Sequence, residues 1–193
     1  DLEAIPTTEA TQVLGGTFNN IGVPSAKSFH ALAPGYGNAA GLTTGQANPY
    51  FVRMASNPNA SMLEDAVSQN PSFFTLIDMG GNDILFYAAR GASGVDQTGN
   101  PNPAEYGLAD LTDPQVFAAS YNAIVNALSA GGAKGVISNI PNITDFAFFN
   151  TVPYNPLDPT NPDFGPQIPA LNAAYAQLNA AFAFMEAQGI VPN

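Results

Sequence analysis

Phe73-Phe74-Thr75-Leu76-Ile77-Asp78-Met79-Gly80-Gly81-Asn82-Asp83 is the stretch that decides the fold. Phe73 to Asp78 is a continuous apolar run closed by an acid. Asn70-Pro71 bounds it on one side and Gly80-Gly81 on the other. A run of that kind suits a central parallel strand buried on both faces, since an amphipathic helix or a half-exposed strand would alternate. Working outward, Ser61 to Gln69 predicts a short helix just before it. Ser61 stands at the cap and Glu64 lies three residues on, the capping-box spacing. Tyr50 to Ala55 is helix-compatible, and Asn57-Pro58-Asn59 breaks it.

After the strand, residues 91–112 are rich in Gly, Pro, Asp and Asn and read as a surface loop. Thr112-Asp113-Pro114 then starts a helix, with Pro at the first helical position. Its expected apolar face is Phe117, Tyr121, Ile124, Val125 and Leu128, and Gly131-Gly132 ends it. Gly135 to Ile140 predicts the next strand, stopped by Pro141. Residues 150–168 hold many prolines and read as another loop. Ala170 to Gln188 is a helix whose Leu171, Tyr175, Leu178, Phe182 and Met185 predict one buried stripe, with Gly189 closing it. Near the start, Phe18 to Val23 predicts a short first strand. Ala26 to Leu32 follows as the beginning of a helix, and residues 33–49 as a long loop. Strands alternating with helices imply βαβ crossovers and a parallel sheet with helices on both faces.

The chain has 193 residues, enough for one domain with a real core. Hydrophobic residues make up 46% and charged residues only 10%, so the solvent face rests on Asn, Gln, Ser, Thr, Gly and Pro. The net charge of -11, with Lys27, Arg53, Arg90 and Lys134 scattered, excludes a phosphate-tracking nucleic-acid surface and disfavours anionic membranes. Cysteine is absent, which removes disulfides, zinc thiolates and cysteine nucleophiles. No apolar run is long enough to span a bilayer. The polar run Asp1 to Glu9 reads as an internal cut, and Gly189 to Asn193 as the opening of an interrupted strand. Both ends are therefore expected to be truncated.

Ligands of open parallel α/β sheets gather beyond the carboxyl ends of the strands. Two such ends stand out: Asn20-Ile21-Gly22-Val23-Pro24-Ser25, and Asp78-Met79-Gly80-Gly81-Asn82-Asp83. An Asn past a tight turn can donate its amide to a developing oxyanion. Glycines let the backbone turn, and Asp83 can hold it by accepting backbone N–H bonds. A plain Gly-Gly-Asn-Asp turn is the bland alternative.

Gly80-Gly81-Asn82-Asp83 after a buried strand resembles the third block, Gly-x-Asn-Asp, of the SGNH (GDSL-type) hydrolase superfamily. Asn20 to Ser25 resembles its second block, Asn-x-Gly-x-x-Gly, and residues 18 to 145 resemble loop-rich bacterial GDSL-like lipases. The resemblance implies a three-layer α/β/α fold with a parallel sheet, flavodoxin-like in layer order and incomplete in this chain. It also implies ester hydrolysis through a serine acyl-enzyme, with no cofactor and no metal. Carried over, Asn82 is the side-chain oxyanion donor and Gly80 shapes the turn. The second-block glycine position, a backbone N–H donor, falls on Ser25, where a serine is expected to need ordinary backbone angles.

The sequence departs from the family by absence. No Gly-Asp-Ser nucleophile block and no Asp-x-x-His block occur in residues 1–193. The only histidine, His30, follows Lys27 by three residues and reads as a structural, hydrogen-bonded residue. Glu64 and Asp65 read as a solvated helix face. Asp96, Asp110 and Asp113 read as solvated loop acids matching no EF-hand. Phe146, Phe148, Phe149 and Tyr154 either line a pocket or cover the core.

The expectation is a single-domain fragment, residues 1–193, supplying oxyanion-hole elements of a GDSL-like lipase or esterase and inactive alone. Its substrate would be an acyl lipid or an acetylated sugar. Its sheet would be completed by missing segments of the same protein or by a self-copy, and its location would be exported and bacterial. The alternatives are a non-catalytic binding or surface module on the same scaffold and a flavodoxin-like domain, the latter without a phosphate-cradling loop.

Overall fold

A computed structural model describes residues 12–151 and 157–190. The chain divides into two compact units, the first ending at Ile143 and the second beginning at Thr144. Among the described residues the first unit holds α1 (Pro49–Met54), α2 (Met62–Ser68), β1 (Phe73–Leu76), α3 (Gly81–Ala89), α4 (Pro114–Ser129) and β2 (Lys134–Ile137). The second holds α5 (Ala147–Asn150) and α6 (Ile168–Ala187). The protein is thus mixed α/β, with six α-helices, several short 3-10 helices and one two-stranded sheet among the described residues.

β1 and β2 pair in parallel, Phe73 opposite Lys134 through Leu76 opposite Ile137. A parallel pair needs a long crossover, and α3, the 91–112 segment and α4 supply it. The helix starts follow local chemistry. Asp113 caps α4 by accepting from the N–H groups of Gln115 (2.8 Å) and Val116 (2.9 Å), and Pro114, which lacks an N–H, fills the first turn without loss. Ser61 and Glu64 form the expected reciprocal capping box on α2. The core gathers Phe51 of α1, Met62 of α2, Leu76 of β1, and Ile124 and Leu128 of α4. Phe51 is fully buried. Burying each such side chain contributes about 1.5–3 kcal/mol.

Several expectations change. Residues 18–23 form no strand: the N–H of Gly22 goes to Asn20 Oδ1 (2.8 Å) and the carbonyl of Phe18 accepts from Gln69 Nε2 (2.8 Å). A strand exists only through a partner's ladder, and among the described residues no segment forms one with residues 18–23. Ala26 to Leu32 yields a 3-10 helix, Ser28–Leu32. β2 stops at Ile137, short of Ile140.

The strands are not buried on both faces. Phe73 is 56% exposed and Val136 53%. A sheet of two strands has too few layers around it to cover both sides. The stripe on α6 is likewise uncovered, with Tyr175, Leu178 and Phe182 all exposed. Helical periodicity correctly set this helix, and its end is a Schellman closure. Gly189, at φ 68°, donates to Glu186 O and Ile190 donates to Met185 O, each at 2.9 Å. Phe148 packs edge-on to Phe149 (5.1 Å) and is itself exposed, while Phe149 is half-buried. Tyr154, residues 1–11 and residues 191–193 lie outside the described residues.

Candidate functional site

The site is built from two turns. The first is Val23-Pro24-Ser25-Ala26, closed by a bond from Ala26 N–H to Val23 O (3.2 Å). Proline fixes the second position, and Ser25 takes φ 67° at the third, which makes this a type II turn. That conformation normally demands glycine. The expectation that Ser25 needs ordinary angles is therefore wrong: this serine adopts the left-handed region that favours glycine. The neighbouring peptides force it there. Asn48 Nδ2 donates to Pro24 O (2.9 Å) from the start of α1, and Asn82 Nδ2 donates to Ala26 O (2.9 Å).

The second turn joins β1 to α3. Asp78 (φ 55°) and Gly80 (φ 104°) are both left-handed, and Gly81 N–H closes the turn on Asp78 O (3.0 Å). Gly80 is required twice over. A Cβ there would sit 2.6 Å from Ile140 Cδ1 and 2.7 Å from Phe117 Cε2. The N–H of Asp78 donates to Ser138 Oγ (3.0 Å), which ties the ends of the two strands together.

Asp83 clamps one turn to the other. Its carboxylate accepts from the Ser28 N–H (2.9 Å) and the Ser28 hydroxyl (2.8 Å), and it is almost fully buried. The backbone bond expected of Asp83 thus comes from the other turn. Burial pushes its carboxyl above the ordinary range, and the Ser28 bonds and the Lys27 charge pull against that.

Lys27 is buried as well. Its ammonium donates to Asp110 O (2.6 Å) and Gly107 O (3.2 Å). Burial lowers its pKa, and the charges of Asp83 and Asp110 oppose the shift.

Lys27 fastens the 91–112 segment, a largely exposed loop as expected, held from within by buried acids. Asp110 Oδ1 accepts from Val95 N–H, and its Oδ2 accepts from Gln97 Nε2 and Gly107 N–H. Asp113 accepts from Gly99 N–H as well as capping α4. Both acids are buried, as is Asp65, which accepts from Ser56 N–H (3.0 Å). Among these acids and Glu64, only Asp96 and Glu64 lack burial. Nonlocal donors, which composition does not reveal, account for the difference.

His30 is structural, in line with the sequence reading. Its Nδ1 accepts from Lys27 N–H (3.0 Å), and its ring stacks on Tyr36 at 4.4 Å and 7°. Burial, then the Lys27 charge, lowers its pKa to about 4. It is therefore neutral at physiological pH, with Nδ1 already engaged.

Asn82 and Ser25 come together through Ala26, the residue that follows Ser25 and receives the Asn82 bond. Gly80 shapes the turn that carries Asn82. What sequence reasoning missed is the frame: Lys27, Ser28, Asn48 and Asp110. The one available signal was a lysine inside a low-charge, apolar neighbourhood. Among the described residues no group of three or more His, Asp or Glu is placed to hold a metal ion. A surface hollow of about 460 Å³, lined by Ser56, Asn59, Glu64 and Ser68 among others, contains none of the turn residues. Comparison with models of known protein families, with curated proteins and with solved structures finds no match to this chain.

Proposed function

We propose that this chain is the oxyanion-hole section of a GDSL-like ester hydrolase, a serine esterase or lipase of the SGNH type with a three-layer α/β/α fold. The observation that carries the reading is the Asn82-to-Ala26 bond. It ties the amide expected to bind an oxyanion to the turn whose Ser25 N–H is the second expected donor. Asn82 spends one of its two N–H groups on that bond and keeps the other.

In the proposed reaction a serine Oγ outside these 193 residues attacks the ester carbonyl carbon. A histidine, also outside, takes the hydroxyl proton. The carbonyl π pair moves to oxygen, and the Ser25 N–H and the Asn82 amide stabilise that charge. Collapse expels the alcohol, which takes the proton back from the imidazolium, and water then releases the acid by the same steps. His30 is not that base, because its Nδ1 lone pair is engaged and its pKa is near 4.

The substrate would be an acyl lipid or an acetylated sugar, and the location exported and bacterial. The exposed apolar residues Phe73, Ile77, Val136 and Ile137 fit a sheet completed by other segments of the same protein or by a second copy.

Fluorophosphonate labelling of the full-length protein, read by peptide mapping, tests this. The expected label falls on a serine in a Gly-Asp-Ser peptide. Asn82→Ala is expected to slow ester hydrolysis by roughly 10²–10³. Absence of any label on the full-length protein sinks the enzyme reading and favours a non-catalytic binding module on the same scaffold.

A further inference from the structure

We infer that the Ser25 hydroxyl is an additional oxyanion donor, a side-chain group placed where a glycine would have offered only its N–H. The inference rests on the proposed ester hydrolase reading and extends it to a residue type the turn itself does not call for.

Among the described residues four non-glycine residues stand at left-handed angles: Ser25, Asn70, Asp78 and Ala92. Asn and Asp tolerate that region, because their short polar side chains bond locally. Ala92 closes α3, where its N–H reaches Tyr87 O (2.9 Å). Ser25 has neither excuse. It sits third in a type II turn, the position glycine fills without steric cost. Strained residues of this sort persist where the surroundings over-determine them, and they cluster at functional sites.

The surroundings here do over-determine it. Asn48 holds the Pro24 carbonyl, Asn82 holds the Ala26 carbonyl, and Asp83 holds Ser28 by two bonds. Ser25 itself is exposed, and among the described residues neither its N–H nor its hydroxyl has a hydrogen-bond partner. A structural serine in a turn would spend its hydroxyl on nearby backbone. This one leaves two donors of a single residue open to solvent, one residue before the Ala26 carbonyl that accepts from the Asn82 amide. Both belong to a frame that does not need to reorganise when charge develops, which is what makes such donors effective.

The test compares Ser25→Ala, Ser25→Gly and Asn82→Ala in the full-length protein, using a p-nitrophenyl acetate assay with kcat and KM separated. Ser25→Ala keeps the strain and the N–H and removes the hydroxyl. Ser25→Gly also removes the strain. Both are expected to lower kcat at least tenfold with KM within twofold, and Ser25→Gly is expected to raise Tm or leave it unchanged. If both keep kcat within twofold while Asn82→Ala loses a hundredfold, the hydroxyl role is overturned and the site reading survives. If Asn82→Ala keeps full activity, the site reading falls, and the donor role falls with it. A kcat loss in Ser25→Ala that Ser25→Gly fully restores assigns the residue to backbone conformation and also overturns the proposal.

Discussion

The two-turn junction and the sheet beside it are held in opposite ways. At the junction, Lys27, Ser28 and Asp83 are buried polar groups, each with specific partners a few ångströms away. In the sheet, Phe73, Ile77, Val136 and Ile137 are apolar and exposed. At the junction the Lys27 ammonium, the Ser28 N–H and hydroxyl and the Asp83 carboxylate find their partners within the chain, while Ser25 keeps its donors open. The sheet is held by its ladder, the Asp78–Ser138 tie, the buried Leu76 and the half-buried Phe74, and leaves apolar surface available. A hydrogen-bonded frame beside an exposed apolar sheet face teaches that the geometry of the turns does not depend on what covers that face. Hydrogen bonds specify the turns, and hydrophobic burial is left to other surfaces.

The sharpest way to break that contrast is Asp83→Ala. It strips both acceptors from Ser28 and one balancing charge from the buried Lys27, so a loss of about 3–5 kcal/mol is expected in urea unfolding. A loss below about 1 kcal/mol would mean the junction is not self-supporting.

Acid provides the next test. His30 titrates near 6.5 unfolded and near 4 folded, so between those values the unfolded chain binds more protons. Stability contributed by neutral His30 is complete above about pH 6.5 and is lost as pH falls toward about 4. Asp83, whose pKa is raised, works with the opposite sign: its buried charge costs stability as pH climbs through its folded pKa. His30→Gln should flatten the decline in the urea midpoint between pH 6.5 and 4.5, whereas an unchanged slope would remove His30 from the account.

Ser61→Ala removes the cap of α2 and should cost about 1 kcal/mol, measured the same way. The smallest effect belongs to the sheet. Val136→Thr is expected to change unfolding by less than about 0.5 kcal/mol, because this side chain is already half in water. A larger loss would show that a surface covered in solution, by another segment or a second copy, had been uncovered by the substitution.

Much of this was readable in advance where the determinant is local. The Ser61–Glu64 box, the Asp113-Pro114 start of α4, the β1 run and the Gly80-Gly81 turn all depend on residues within four positions of one another. The losses came where the determinant is distant. Phe18 to Val23 has strand composition but no neighbouring ladder. Asp65, Asp110 and Asp113 look like solvent-facing acids until the N–H groups of Ser56, Val95 and Gly99 are brought to them. At the site, Asn82 and Gly80 could be read from the motif. The backbone of Ser25 was misjudged, because Val-Pro-Ser-Ala lacks the glycine that usually advertises a type II turn. The clamp from Asp83 to Ser28 spans residues far apart in the chain, and no local pattern announces it.

Lys27 has a practical consequence. The sequence contains two lysine side chains, Lys27 and Lys134. One is shut inside the junction and the other stands exposed at the start of β2. An amine-selective acylating reagent therefore meets an internal standard and a sealed reporter in the same molecule. Lys134 modifies at the rate of a free surface amine, and Lys27 only when the frame around the Ser25 turn opens. The ratio of the two rates, read peptide by peptide, is a clock for how often the junction breathes.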